Sequence, residues 1–160
     1  MYKKHILALS GTSNSGKTTT IKVIHKKLLK HFEGHCIETN YLSKRATTEI
    51  LRIIQIDEFK IGIVSKGDPM DISDPTCLKN SLAFLMKKGC HLIICACRTK
   101  GKTVEYILEC KPKYASIFYD KNKEATELKE DKWKEVANKV FDKTICFYKK
   151  FVEENNKLKN

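Results

Sequence analysis

One stretch limits what this chain can fold into more than any other: Gly11-Thr12-Ser13-Asn14-Ser15-Gly16-Lys17-Thr18, set directly after the apolar run Ile6-Leu7-Ala8-Leu9. It fits G-x-x-x-x-G-K-[ST], a pattern with physical meaning only between a strand and a helix. Both neighbours are legible. His5 to Ser10 reads as a short buried strand, and Ile21, Ile24, Leu28 and Leu29 recur at helical spacing, which predicts a helix opening near Lys17. Small residues and glycines let successive backbone N–H groups turn inward around an anion, at the positive end of that helix.

On these residues the chain resembles the P-loop NTPase superfamily. The resemblance is carried by residues 5 to 32; from 60 to 119 it is one of fold, and it is silent on the C-terminal helix. It implies that Gly11, Thr12, Ser13, Asn14, Ser15, Gly16, Lys17, Thr18 and Thr19 hold a nucleoside triphosphate, ATP favoured. Lys17 then reaches the β- and γ-phosphates and Thr18 offers its hydroxyl to Mg²⁺. The implied fold is a three-layer α/β/α domain spanning 1–160, with a mostly parallel sheet. A glycine-rich turn that holds no ligand is the plain alternative.

A P-loop enzyme also carries a carboxylate at the C-terminal end of a parallel apolar strand, facing Mg²⁺ or its waters. Two candidates compete. Ile53-Ile54-Gln55-Ile56-Asp57-Glu58 has the more usual form; Ile61-Gly62-Ile63-Val64-Ser65-Lys66-Gly67-Asp68 is less regular. The strands Ile50 to Ile56 and Lys60 to Ser65 are separated by too few residues for a parallel crossover, so they form a hairpin and one of them runs antiparallel to the sheet. The second feeds a longer connection and a helix, the order expected at the ligand edge. Asp68 is therefore chosen as the second acid and metal residue, with Ser65 as helper, while Asp57 remains the rival.

Elsewhere the first helix runs to about Phe32 and stops before Gly34. A short strand is expected over His35 to Thr39, then a loop from Tyr41 to Thr48 whose Lys44 and Arg45 suit a phosphoryl acceptor or plain solvation. Asp74 and Pro75 read as the cap and first turn of a helix that closes at Gly89. His91 to Cys97 is nearly all apolar, the mark of a strand buried on both faces beside the first; His91 is assigned no role. Arg98 to Thr103 follows at the ligand edge and opens a helix through Val104, Ile107 and Leu108. Arg98 is a candidate for offsetting transition-state charge or holding an acceptor, against the alternative of pairing with a carboxylate such as Glu105. Tyr114 to Tyr119 reads as the last strand. Asn122-Lys123-Glu124-Ala125 has alanine where an N-K-x-D guanine reader needs aspartate. Trp133, Val136, Ala137, Val140, Phe141, Ile145, Tyr148 and Val152 form one stripe of a long C-terminal helix, and Glu153 to Asn160 is expected to fray.

Composition narrows the function class. The seven cysteines are an odd number, which argues against a disulfide framework. Cys95 and Cys97 share a strand face and, with Cys90, read as small buried hydrophobes. No apolar run reaches the roughly 18 residues of a membrane span, and the N-terminal run is too short for a signal peptide, so the expectation is a cytoplasmic protein without a membrane partner. The net charge of +12 suits phosphates, nucleic acid or an acidic partner, yet the lysines are scattered along helix faces without interleaved aromatics. Three functions remain: an ATPase or kinase-like phosphotransferase with a small acceptor, a nucleotide-dependent switch acting on a protein partner, or a nucleic-acid-associated ATPase working through the basic surface.

Overall fold

The computed structural model describes residues 2–12, 16–42, 49–67, 74, 76–121 and 129–160. Within them lie six strands and four helices. In chain order these are β1 (Lys4–Gly11), α1 (Lys17–His31), β2 (Ile37–Asn40), β3 (Leu51–Ile56), β4 (Phe59–Val64), α2 (Leu78–Lys87), β5 (Leu92–Cys97), α3 (Lys102–Leu108), β6 (Tyr114–Lys121) and α4 (Lys129–Lys159). They form an α/β fold around one sheet of order β2-β3-β4-β5-β1-β6.

β1 sits inside this sheet, parallel to β5 on one side and β6 on the other, with Ser10 opposite Cys97 and Gly11 opposite Lys121. β4 is parallel to β5. Only β3 runs backwards, antiparallel to both β2 and β4. The hairpin and the single reversed strand expected from the short gap are thus present. Asp57, in the two-residue turn, has φ 52, a left-handed geometry that Asp tolerates better than most residues.

Alternation along the strands sends neighbouring side chains to opposite faces. Leu7 and Leu9 meet Ile21, Ile24 and Leu28 of α1 and Ala137, Val140, Phe147 and Phe151 of α4. Ile6 and Ala8 meet Leu78, Leu82 and Leu85 of α2, Ile107 of α3, and Cys90, Cys95 and Cys97. The two cores therefore lie on opposite faces of the sheet, with α1 and α4 on one side and α2 and α3 on the other. Each fully buried Ile or Leu contributes about 1.5–3 kcal/mol. Gly62 of β4 lets α2 close in, since a Cβ there would stand 2.9 Å from both Leu85 methyl carbons.

The edge strand β2 is tied down by charge. Glu38 pairs with His25 of α1 at 2.5 Å and accepts from Arg52 Nη1 of β3 at 2.5 Å. Burial pushes the Glu38 carboxyl up, but the hydrogen bonds from His25 and Arg52 outweigh it and leave it below the usual carboxylate range.

Three expectations need correction. α2 begins at Leu78 with Cys77 at its N-cap position, not at Asp74. Asp74 instead closes a turn, its Oδ1 accepting from the Thr76 N–H at 2.8 Å and its Oδ2 from Lys66 Nζ at 2.9 Å; Pro75 lies outside the described residues. The tail does not fray before the chain's last residue, because α4 continues to Lys159, supported by helix-forming residues and a Glu153–Lys157 pair at 3.4 Å. The buried line of α4 is Ala137, Val140, Thr144, Phe147 and Phe151, whereas Val152 is 36% exposed. Of the stripe expected from sequence, Ala137 and Val140 are buried and Val136, Phe141, Ile145 and Tyr148 pack against the core, but it omits Phe147 and Phe151 and includes the exposed Val152.

Candidate functional site

The loop that ends β1 and opens α1 is the natural place to look, because it leaves the sheet at the C-terminal end of an inner parallel strand. Gly11 closes β1 and is buried. Gly16 has φ 82, the left-handed region in which glycine is at no disadvantage, and it occupies the N-cap position of α1 with no side-chain cap hydrogen bond. The N–H groups of the first helical turn, at Lys17, Thr18 and Thr19, have no acceptor within the helix, and that turn contains no acid to repel an anion. Thr12 Oγ1 is buried and finds no hydrogen-bond partner among the described residues. Lys17 is buried, and its Nζ donates to the Gly11 carbonyl at 2.6 Å. Ser13, Asn14 and Ser15 lie outside the described residues. A donor-rich backbone turn with one ammonium, an orphaned hydroxyl and no carboxylate is a fit for a polyphosphate.

Arg98 belongs to the same rim. It follows Cys97 at the end of β5, its N–H donates to Thr103 Oγ1 at 2.9 Å, and its carbonyl accepts from Ser10 Oγ at 3.4 Å. The first bond ties the start of the 98–101 turn to the opening of α3, and the second ties it to β1 immediately before the loop. The neighbouring Cys97 thiol is pushed up to about 11 by burial, partly offset by the Lys17 ammonium and a hydrogen bond with Ser10. Cys90 is pushed up to about 12, also by burial. Both are inert small hydrophobes rather than nucleophiles.

Asp68 lies outside the described residues, as do Lys44, Arg45 and residues 122–125. The residue before Asp68 is well fixed. Gly67 sits against β5, where a Cβ would come within 2.4 Å of the Ala96 carbonyl oxygen, so the chain leaves β4 along the rim that carries Arg98 and Gly11. Asp57 is at the opposite end of the sheet, beside Tyr148 and Phe151 of α4. Ser65 is buried and occupied: its hydroxyl donates to Glu49 Oε2 and accepts from the Ile50 N–H at 2.8 Å.

Sequence reasoning passed over two residues at this rim. Glu49 places a carboxylate there because β3 is reversed and its N-terminal end points to the loop side. Trp133 of α4 packs directly on Gly16. Neither carries a local sequence signal, since each depends on which ends of distant elements meet. No helix among the described residues is long and apolar enough to cross a membrane. No family model, curated protein or solved structure matches the chain.

Proposed function

We propose that the chain is a P-loop NTPase: it binds a nucleoside triphosphate, ATP favoured, with Mg²⁺ at residues 11–19, and hydrolyses it or transfers its γ-phosphoryl group to a small acceptor. The observation that carries this is the placement of the G-x-x-x-x-G-K-T sequence: it joins an inner parallel strand to the uncapped N-terminus of α1, with Gly16 at φ 82. Gly11, Thr12, Ser13, Asn14, Ser15, Gly16 and Thr19 supply the backbone cradle. Lys17 exchanges the Gly11 carbonyl for the β- and γ-phosphates. Thr18 and Asp68 hold Mg²⁺, which when bound neutralises charge on the phosphate oxygens. Arg98, fixed beside β1, offsets charge on the transferred group. Catalysis on this scheme is positioning and electrostatics, with no covalent step on the protein.

One observation favours a second assignment, a switch whose nucleotide state is read by a partner: α4 spans the domain and touches the loop at Gly16.

Titration calorimetry with ATP and GTP, with and without Mg²⁺, tests the site in wild type and Lys17→Ala. The expected result is Mg²⁺-ATP binding in the micromolar range, weakened about 100-fold by the substitution. Absence of binding to both nucleotides, in the wild type and in a variant whose Trp133 ring is cut back from Gly16, overturns the proposal.

A further inference from the structure

Trp133 lies in the second turn of α4, and the six-membered ring of its indole rests on Gly16. A Cβ built on Gly16 would stand 2.0 Å from Cζ2, 2.1 Å from Cε2 and 2.6 Å from Cη2 of that ring. The indole thus fills the space where any other residue would carry its side chain. In a loop that binds phosphate, that space is valuable, because glycine is used there to let a ligand come close to the backbone. A second observation concerns the same loop. Lys17 Nζ is folded back onto the Gly11 carbonyl at 2.6 Å, and the residue is 7% exposed. Its ammonium is engaged by the loop itself.

We propose that Trp133 is a plug. With no nucleotide bound it covers the ligand face of Gly16, and the first turns of α4 must swing off the loop before a polyphosphate can enter. This rests on the assignment of residues 11–18 as a phosphate loop and adds to it a built-in competitor. The rest of α4 is held independently. Lys27 of α1 donates to Asn138 and lies 4.9 Å over the Phe141 ring, and Phe32 meets Tyr148 edge-on at 5.0 Å. Phe147 and Phe151 are buried below. The helix can therefore release its first turns without opening the core. An internal contact of this kind lowers apparent affinity by the fraction of molecules in which the loop is covered.

Trp133 is the chain's one tryptophan, so its own emission reports the movement. Inorganic tripolyphosphate and ATP, each with Mg²⁺, are titrated into the full chain while fluorescence is followed, and their affinities are measured by calorimetry for wild type, Trp133→Ala and Trp133→Leu. The plug predicts a saturable red shift with both ligands, and about tenfold tighter binding of both by the two variants. Binding by the variants alone also supports it. Emission that responds to ATP but not to tripolyphosphate, with weaker binding by the variants, overturns it and makes the indole a platform for the base. Calorimetric binding by the wild type with silent emission overturns it too. If neither the wild type nor the variants bind either ligand, the phosphate-loop assignment falls and the plug falls with it. The emission arm needs no substitution, so it decides even if the variants do not fold.

Discussion

The two ends of the central sheet are built from different materials. At the loop end, the Trp133 ring on Gly16 apart, the close contacts are made by backbone. Gly16 and Gly101 have positive φ, at 82 and 92, and Gly67 lies flat against the Ala96 carbonyl. The chain there is fastened by single hydrogen bonds such as Arg98 to Thr103. At the other end the contacts are rings. His5 stacks on Phe147 at 4.1 Å, Phe59 on His91 at 5.6 Å, and Tyr2 meets Phe151 edge-on at 5.4 Å. His91 Nδ1 also accepts the Lys60 N–H at 3.1 Å. Rings bury large areas and hold a fold together; bare backbone presents donors and leaves room. The molecule separates holding from binding by the height of the sheet.

The strongest way to break that separation is Phe59→Ala. Phe59 is wholly buried in the ring cluster, and its loss should cost about 3–5 kcal/mol in denaturant unfolding, while ATP affinity of the protein that remains folded stays unchanged. Lys17→Ala should do the reverse. Affinity falls about 100-fold, the ~3 kcal/mol upper range for a charge-assisted hydrogen bond, with a smaller shift of the unfolding midpoint than Phe59→Ala produces. Gly16→Ala sharpens the comparison at one atom. The added methyl meets the Trp133 ring and must adopt a left-handed φ, and only the first penalty disappears in a Trp133→Ala background. A double-mutant cycle on thermal stability should give a coupling of about 1 kcal/mol.

The smallest effect is a pH dependence confined to the ring end. Burial lowers the pKa of His5 below the usual 6.5, as do Lys143, Lys3 and Lys150, against the opposing bond to the Lys3 carbonyl. Burial likewise lowers that of His91, with Lys4 and Lys60 adding to it and Glu58 opposing. Both are bases that the folded protein keeps neutral, so below pH 6.5 the unfolded chain binds protons that the folded one refuses. Stability is complete above that pH and declines as pH falls through the window between 6.5 and the lowered folded values. Melting temperatures measured from pH 7.5 to 5.5 should show the decline, and His5→Phe with His91→Phe should flatten it.

Much of the sheet was legible because its strands are nearly pure β-branched and apolar runs, and because the gap at Asp57-Glu58 is too short for anything but a hairpin. That gap also gave the direction of β4, and hence the end to which Gly67 points. The start of α2 was not legible. Asp74 has the right chemistry for a cap, and the same carboxylate serves equally well to bond Thr76 and Lys66 in a turn. The last turns of α4 look like a solvated tail in composition, but good helix formers extending a packed helix stay helical. At the site, the loop glycines and Lys17 announce themselves by spacing. Trp133 and Glu49 do not, since their places follow from a helix start and a reversed strand that meet the loop side only in three dimensions.

The position of β1 also sets an order of events. Its two partners are β5 and β6, and residue 4 pairs with residue 114. The hairpin of β3 and β4 closes locally, whereas the strand that carries the loop has no partner until β5, far along the sequence, is available. Pairing across so long a stretch is slow and leaves apolar surface waiting. The Ile6-Leu7-Ala8-Leu9 run therefore waits for β5 before its strand is paired, and the loop that follows it is anchored only after that long-range contact forms.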